Sequence, residues 1–374
     1  MRWPMTYSRF IIFQSAVYHA WNYFRRFLYI QTGWPWIVPK PYTVYLIPNL
    51  TCNSRCTICN SWKLRSSSIP FSRWKRCIDD IATTINPFVK LNILGGEILV
   101  SPVSLKLIQY AVRQLPYTGI TSNGFLITQK IAKTLIASGY TNINISLDGV
   151  TQATVQKLRG RSDAYEKASQ AILFLLKEKR LQHASTKIII KSVISGINFH
   201  ELPLLTQWAQ DISADGIYLQ PVQPVFFSDQ THEQLQHSPL WIRENQKKQA
   251  KKVFDTLIAL KDKGYPVLNS KEELYDLYPY FSLTQKQASF PSIQRCFIDI
   301  DSLFILNNGN VHFCMDFKAV GNITRNRLSD ILRSKEACSQ RQHIRTCQKH
   351  CLLTCSSKKS LRQLIYLFIH TVWR

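Results

Sequence analysis

From residue 41 to about 222 the chain alternates between short β-branched runs and stretches whose apolar residues recur at helical spacing. The runs 43–47, 89–94, 119–121, 142–147, 187–193 and 216–219 predict strands. Helical stretches fall between them, near 72–86, 103–115, 127–138, 163–180 and 199–212, which reads as repeated βα units on a parallel sheet. Six such units are too few for a closed eight-stranded barrel. The pattern therefore predicts an α/β fold, an open, partial (β/α)6 barrel of the TIM type, with its chemistry at the C-terminal ends of the strands.

The flanks read differently. In segment 1–40, Phe10, Phe13, Val17, Trp21, Phe24 and Leu28 form a helical stripe with Arg9, Arg25 and Arg26 beside it. Such a helix either docks on the main unit or lies in a membrane interface. Segment 357–374 repeats the pattern with Leu361, Leu364, Ile365, Phe368 and Val372. Segment 223–290 reads as a bridge, a solvated helix near 244–263 followed by packed tyrosines. Around Asn307-Asn308-Gly309-Asn310 the runs 301–306 and 311–313 predict a β-hairpin, within a module spanning 291–356.

A length of 374 residues allows a substantial core, so size excludes little. A net charge of +24 favours an anionic partner: nucleic acid, acidic lipid or a charged small molecule. Ten cysteines are too sparse for a disulfide scaffold, and they cluster towards the two ends of a cysteine-free middle, which favours metal binding. Neither end carries about 18 uninterrupted apolar residues, and no small-residue cleavage site follows the N-terminal stretch. The expectation is a cytoplasmic protein, with association of its ends with the cytoplasmic membrane face as the open question.

The chemistry-bearing stretch is Cys52-Asn-Ser-Arg-Cys56-Thr-Ile-Cys59, immediately beyond the first predicted strand. A four-iron cluster is usually held by four thiolates. Three local thiols without an obvious fourth point to an iron left open for another ligand. Three further polar motifs follow strands two, three and four: Gly95-Gly96-Glu97, Thr121-Ser122-Asn123-Gly124 and Ser146-Leu147-Asp148-Gly149. Paired glycines let backbone approach a ligand closely, and Asp, Ser and Asn can bind hydroxyls, carboxylates or amines. Downstream, Cys296, Cys314, Cys338, Cys347, Cys351 and Cys355 read as a second metal site, with iron–sulfur or zinc as the metal.

With these residues in order, the chain resembles the radical S-adenosylmethionine (SAM) superfamily over about residues 41–356. The resemblance implies that Cys52, Cys56 and Cys59 hold three irons of a [4Fe-4S] cluster whose fourth iron is chelated by SAM. It implies that Gly95, Gly96 and Glu97 contact the methionine amino group, and that Ser122, Asn123, Ser146 and Asp148 hold the methionine carboxylate and the ribose. Arg159, in Leu158-Arg-Gly160, resembles an arginine that often follows the strand-four motif. Ile58 and Ile98 stand where many members place an aromatic residue and a proline.

The C-terminal module resembles the SPASM or twitch extension of that superfamily. Six cysteines there imply one auxiliary cluster, built on Cys296 and Cys314 with two of Cys347, Cys351 and Cys355. Asp316, two residues after Cys314, is a candidate general base. The implied activity is reductive cleavage of SAM and hydrogen abstraction from a lipid or glycolipid precursor or a peptide, with flavodoxin or ferredoxin as electron donor and no DNA partner. A non-catalytic iron–sulfur or zinc scaffold on membrane or RNA is the alternative from a different class.

Overall fold

The computed structural model describes residues 9–64, 68–224, 230–282 and 296–347. Six parallel strands carry the core: β1 (Thr43–Leu46), β2 (Lys90–Ile93), β3 (Thr118–Ser122), β4 (Asn142–Ser146), β5 (Lys187–Ile194) and β6 (Gly216–Pro221). Their order in the sheet is sequential, and each neighbouring pair is parallel. The helices are α1 (Arg9–Thr32), α2 (Phe71–Asp80), α3 (Pro102–Gln114), α4 (Gln129–Ala137), α5 (Gln152–Arg159), α6 (Ala164–Leu181) and α7 (Leu202–Asp211).

Period-two alternation sets the two faces of the sheet. Ile143, Ile145, Ile188, Ile190, Ile217 and Leu219 are fully buried under the helices. The alternate positions, among them Asn92, Thr121, Asn144, Ser146, Lys191 and Tyr218, stand on the opposite, concave face. The expected strands all form, with ends shifted by a few residues at most. Helix α5 was not anticipated. Its signals are Thr151, whose hydroxyl caps Thr154 N, and Gly160, which closes it in the left-handed conformation.

The C-terminal hairpin is part of the same sheet. Strand β7 (Ser302–Ile305) pairs in parallel with β1, from Thr43↔Ser302 to Leu46↔Ile305, and β8 (Asn310–His312) returns antiparallel to it. With β9 (Gly321–Asn322), the described residues form one nine-stranded sheet. Gly309 turns the hairpin at φ +85°, a conformation that favours glycine.

One sequence reading needs correction. The bridge helix, Lys247–Asp262, is not simply solvated: Ala250, Val253, Phe254, Leu257 and Ile258 are buried, and it packs on α7. The same segment covers the free edge of β6. Asn269 exchanges two 2.8 Å hydrogen bonds with the backbone of Leu219, and buried Tyr280 donates to Val222 O at 2.7 Å. An unpaired edge would invite association with another strand.

Helix α1 docks on the main unit, one of the two readings its sequence left open. Its inward residues are Ser15, Asn22, Arg26 and Tyr29, while three residues of the apolar stripe face out: Val17 is 53 %, Trp21 58 % and Phe24 50 % exposed. Specific polar contacts decide the orientation. Asn22 exchanges two 2.9 Å bonds with the backbone of Lys40, and buried Arg26 pairs with Asp301 just before β7 while lying over the ring of Phe297. Removing one partner of a buried ion pair typically costs about 3 kcal/mol or more. Arg26→Ala should therefore lower unfolding free energy by about 3 kcal/mol in urea titration; a change under about 0.5 kcal/mol would show that this pair does not anchor α1.

Candidate metal and cofactor site

The segment between β1 and Ser61 has no regular secondary structure, so its buried backbone groups must find partners elsewhere. Two neighbouring elements supply them. On one side, Gly96 N donates to Asn49 O at 3.0 Å and Glu97 N to Thr51 O at 2.8 Å. On the other, Thr57 N donates to Leu158 O at 2.9 Å, and the Ser54 hydroxyl donates to Arg159 O at 2.6 Å. Leu158 and Arg159 lie in the last turn of α5, where carbonyls lack helical partners. Arg161 adds a 3.2 Å bond to Asn53 O.

The glycines serve this clamp. A Cβ on Gly96 would lie 2.1 Å from Thr51 O, one on Gly95 2.3 Å from Asn49 O, and one on Gly160 2.4 Å from Arg55 O. The close approach that the paired glycines permit is therefore to the chain's own loop.

Cys56 is buried, and Cys52 and Cys59 are half-buried. Each sulfur has donors beside it. The Ser54 hydroxyl stands 3.2 Å from Cys56 Sγ, the Ser61 hydroxyl 3.2 Å from Cys59 Sγ, and Ser61 N donates to that sulfur at 3.4 Å. Asn123 Nδ2 lies 3.9 Å from Cys52 Sγ and Arg159 Nη1 4.0 Å from Cys56 Sγ. Burial, reinforced by the neighbouring thiols, pushes the Cys52 thiol up to about 11, so metal binding there must displace a proton.

Glu97 is wholly buried and links the motifs. Its carboxylate accepts from Ser122 Oγ at 2.9 Å, Asn123 N at 2.7 Å and Leu99 N at 3.1 Å. Burial raises its proton affinity, and these three donors oppose the rise. Asn123 in turn donates to Asn53 Oδ1 at 2.7 Å and accepts from Phe125 N at 3.0 Å. Ser146 ends β4 on the concave face, half-buried. Asp148 is also wholly buried: it accepts from Val193 N at 2.8 Å and pairs with Arg159 Nη2 at 2.5 Å. Burial alone would weaken the basicity of Arg159, but Asp148 and Cys56 outweigh it.

Cys52, Cys56, Cys59, Gly95, Gly96, Glu97, Ser122, Asn123, Asp148 and Arg159 are thus one connected set. Asp316 is exposed, in a turn of the hairpin module. Cys314 is buried and Cys296 packs against the same core, whereas Cys351 and Cys355 lie outside the described residues. Sequence reasoning missed Asn198 and Glu201, just after β5. Asn198 donates to Asp148 O at 2.6 Å, and Glu201 accepts from Val150 N at 2.7 Å and Thr151 N at 3.1 Å, bracing the loop into α5. The available signal was their position at a fifth polar strand end.

Among the described residues, no three His, Cys, Asp or Glu side chains converge on a single metal ion. A four-iron cube asks something different, since each thiolate binds its own iron. Three thiols with hydrogen-bond donors at each sulfur fit such a cluster.

The radical SAM superfamily profile matches residues 46–199, and that of the iron–sulfur cluster-binding domain SPASM matches residues 296–356. This chain belongs to the radical SAM superfamily. Among its relatives is the AdoMet-dependent heme synthase of Methanosarcina barkeri, 26 % identical over 187 residues, which is 49 % of this chain and 51 % of that protein. The PqqA peptide cyclase of Bradyrhizobium diazoefficiens is 23 % identical over 186 residues, 49 % of this chain and 47 % of that one. The match spans about half the length of these relatives. Streptococcus suis SuiB bound to S-adenosylmethionine shares the fold, with a TM-score of 0.62 at 16 % identity over 81 % of this chain and 68 % of that one.

For this radical SAM chain the clamp on the cysteine loop yields a direct test. Gly96→Ala should leave the protein folded by circular dichroism but retain only a minor fraction of the iron and sulfide bound by the parent after anaerobic reconstitution. Full iron retention would show that the loop holds without the close approach at Thr51 O.

Proposed function

We propose that this protein reductively cleaves SAM at a [4Fe-4S] cluster and abstracts hydrogen from a substrate. The observation that carries the reading is the cysteine loop, clamped at the rim of the sheet's concave face with donors at all three sulfurs. Cys52, Cys56 and Cys59 would hold the cluster. When bound, cluster and SAM supply a 5′-deoxyadenosyl radical that takes a hydrogen atom from the substrate. Arg159, fixed by Asp148, places positive charge beside Cys56. Glu97 holds the ends of β2 and β3 in register through Ser122 and Asn123.

In this reading Ser146 and the strand ends of the concave face offer the polar groups for SAM, and Asp148 acts through Arg159 because no part of it is exposed. Cys296 and Cys314 would contribute to an auxiliary cluster with two of Cys347, Cys351 and Cys355. Anaerobically reconstituted protein, given dithionite and SAM, should form 5′-deoxyadenosine, and Cys56→Ala should form none. A parent protein with intact cluster and no product would instead favour the non-catalytic scaffold.

The outward face of α1 supports a second element of the reading, peripheral attachment to a membrane carrying anionic lipid. Among the described residues no helix is long and apolar enough to cross a membrane. Trp21, Phe24, Trp34 and Trp36 are nonetheless about half or more exposed on a chain of net charge +24. Aromatic rings with basic surroundings suit the headgroup boundary. This favours a lipid-linked precursor as substrate over a free peptide. Replacing both Trp21 and Phe24 with serine should weaken sedimentation with anionic liposomes by about tenfold per ring while Arg26 keeps α1 docked; unchanged sedimentation would remove the membrane reading.

A further inference from the structure

Among the described residues, the concave face holds a cation without a counter-charge. Lys191 lies in β5, in register with Ser146 on β4 and Tyr218 on β6. Its side chain alternates with Ile190, which is wholly buried under the helices, so Lys191 stands on the concave side. Its ammonium forms no hydrogen bond or ion pair with any described residue. The surrounding concave positions, Tyr45, Asn92, Thr121, Asn144 and Tyr218, are neutral, and no Asp or Glu stands on this face of β1–β6. The two rim carboxylates are already committed, Glu97 to its three donors and Asp148 to Arg159 and Val193 N.

An isolated ammonium in such a place is costly, and a protein tolerates it where a ligand supplies the opposite charge. Burial, with the like charge of Lys90 added, pushes Lys191 down to about 8. It therefore remains largely charged at neutral pH and is poised to gain a partner. Register places Lys191 level with Ser146 at the end of β4. The observation that favours the substrate over SAM as that partner is the field of Lys90, which begins β2 at the opposite end of the sheet from the cofactor motifs.

We propose that Lys191 is the recognition point for an anionic group of the substrate, a carboxylate or a phosphate, on the concave face of the sheet. The inference rests on the reading that this face is the reaction chamber, and it adds the substrate's charge to that reading. An ammonium is a compact point charge with three donors, suited to either oxyanion.

The test uses iron-loaded protein with SAM present, titrated calorimetrically with inorganic phosphate and with benzoate as probes. Parent protein should bind at least one of them, Lys191→Met should bind it at least about tenfold more weakly, and Lys191→Arg should restore most of the affinity. Thermal midpoint and iron content establish that the variants are folded; Met in place of this half-buried, unpartnered ammonium should not lower the midpoint. SAM and decarboxylated SAM are titrated in parallel. Phosphate and benzoate binding that is absent in the parent, or equal in Lys191→Met, overturns the proposal. So does a loss in Lys191→Met confined to SAM and spared for decarboxylated SAM, because the ammonium would then belong to the cofactor's carboxylate. Failure of the parent to form 5′-deoxyadenosine would overturn the chamber reading instead, and is read separately.

Discussion

The rest of the site depends on how one irregular loop satisfies its backbone. Residues 48–60 form no helix or strand, yet the loop must hold three sulfurs in place. Its polar groups are taken up by the turn after β2 on one side and by the open carbonyls ending α5 on the other. Both contacts demand glycine, since at Gly95, Gly96 and Gly160 a Cβ would fall within 2.4 Å of a loop carbonyl oxygen. The loop is therefore tied to the sheet on one side and to α5 on the other. Rigidity there is what a cluster with one ligand position left to SAM requires of the protein.

Buried charge extends the clamp outwards. Glu97 and Asp148 have no exposed surface, and each acts as a brace. Glu97 ties β2 to β3, while Asp148 ties β5 to Arg159 and so to Cys56. Burial raises the proton affinity of Glu97, and its three hydrogen-bond donors oppose that rise. The Lys191 ammonium has no such partner among the described residues, which marks it as a group for binding something else.

The same economy of polar contacts orients the periphery. Arg26 and Asn22 hold α1 against the sheet and turn its rings to solvent. Parallel pairing of β7 with β1 puts the C-terminal module on the core sheet itself, beside the strand that leads into the cysteine loop. Cys314 thus follows a hairpin anchored directly to that strand.

Much of this was written in the chain. Period-two and helical spacing identify the six parallel strands and most of their helices, because burial of one face imposes a pattern visible residue by residue. Cysteine spacing, with glycine and polar motifs at successive strand ends, identifies the superfamily and its cofactor set. Local pattern could not reveal which partners distant residues choose. That α1 docks through Arg26 rather than its apolar stripe follows from an aspartate 275 positions away. The glycines of the β2 turn meet the chain's own loop, β7 joins β1, and the Lys191 ammonium has no partner among the described residues, because these outcomes depend on which groups the fold brings together. Sequence determined the elements and the chemistry available; tertiary packing decided which polar groups are spent on structure and which remain for a ligand.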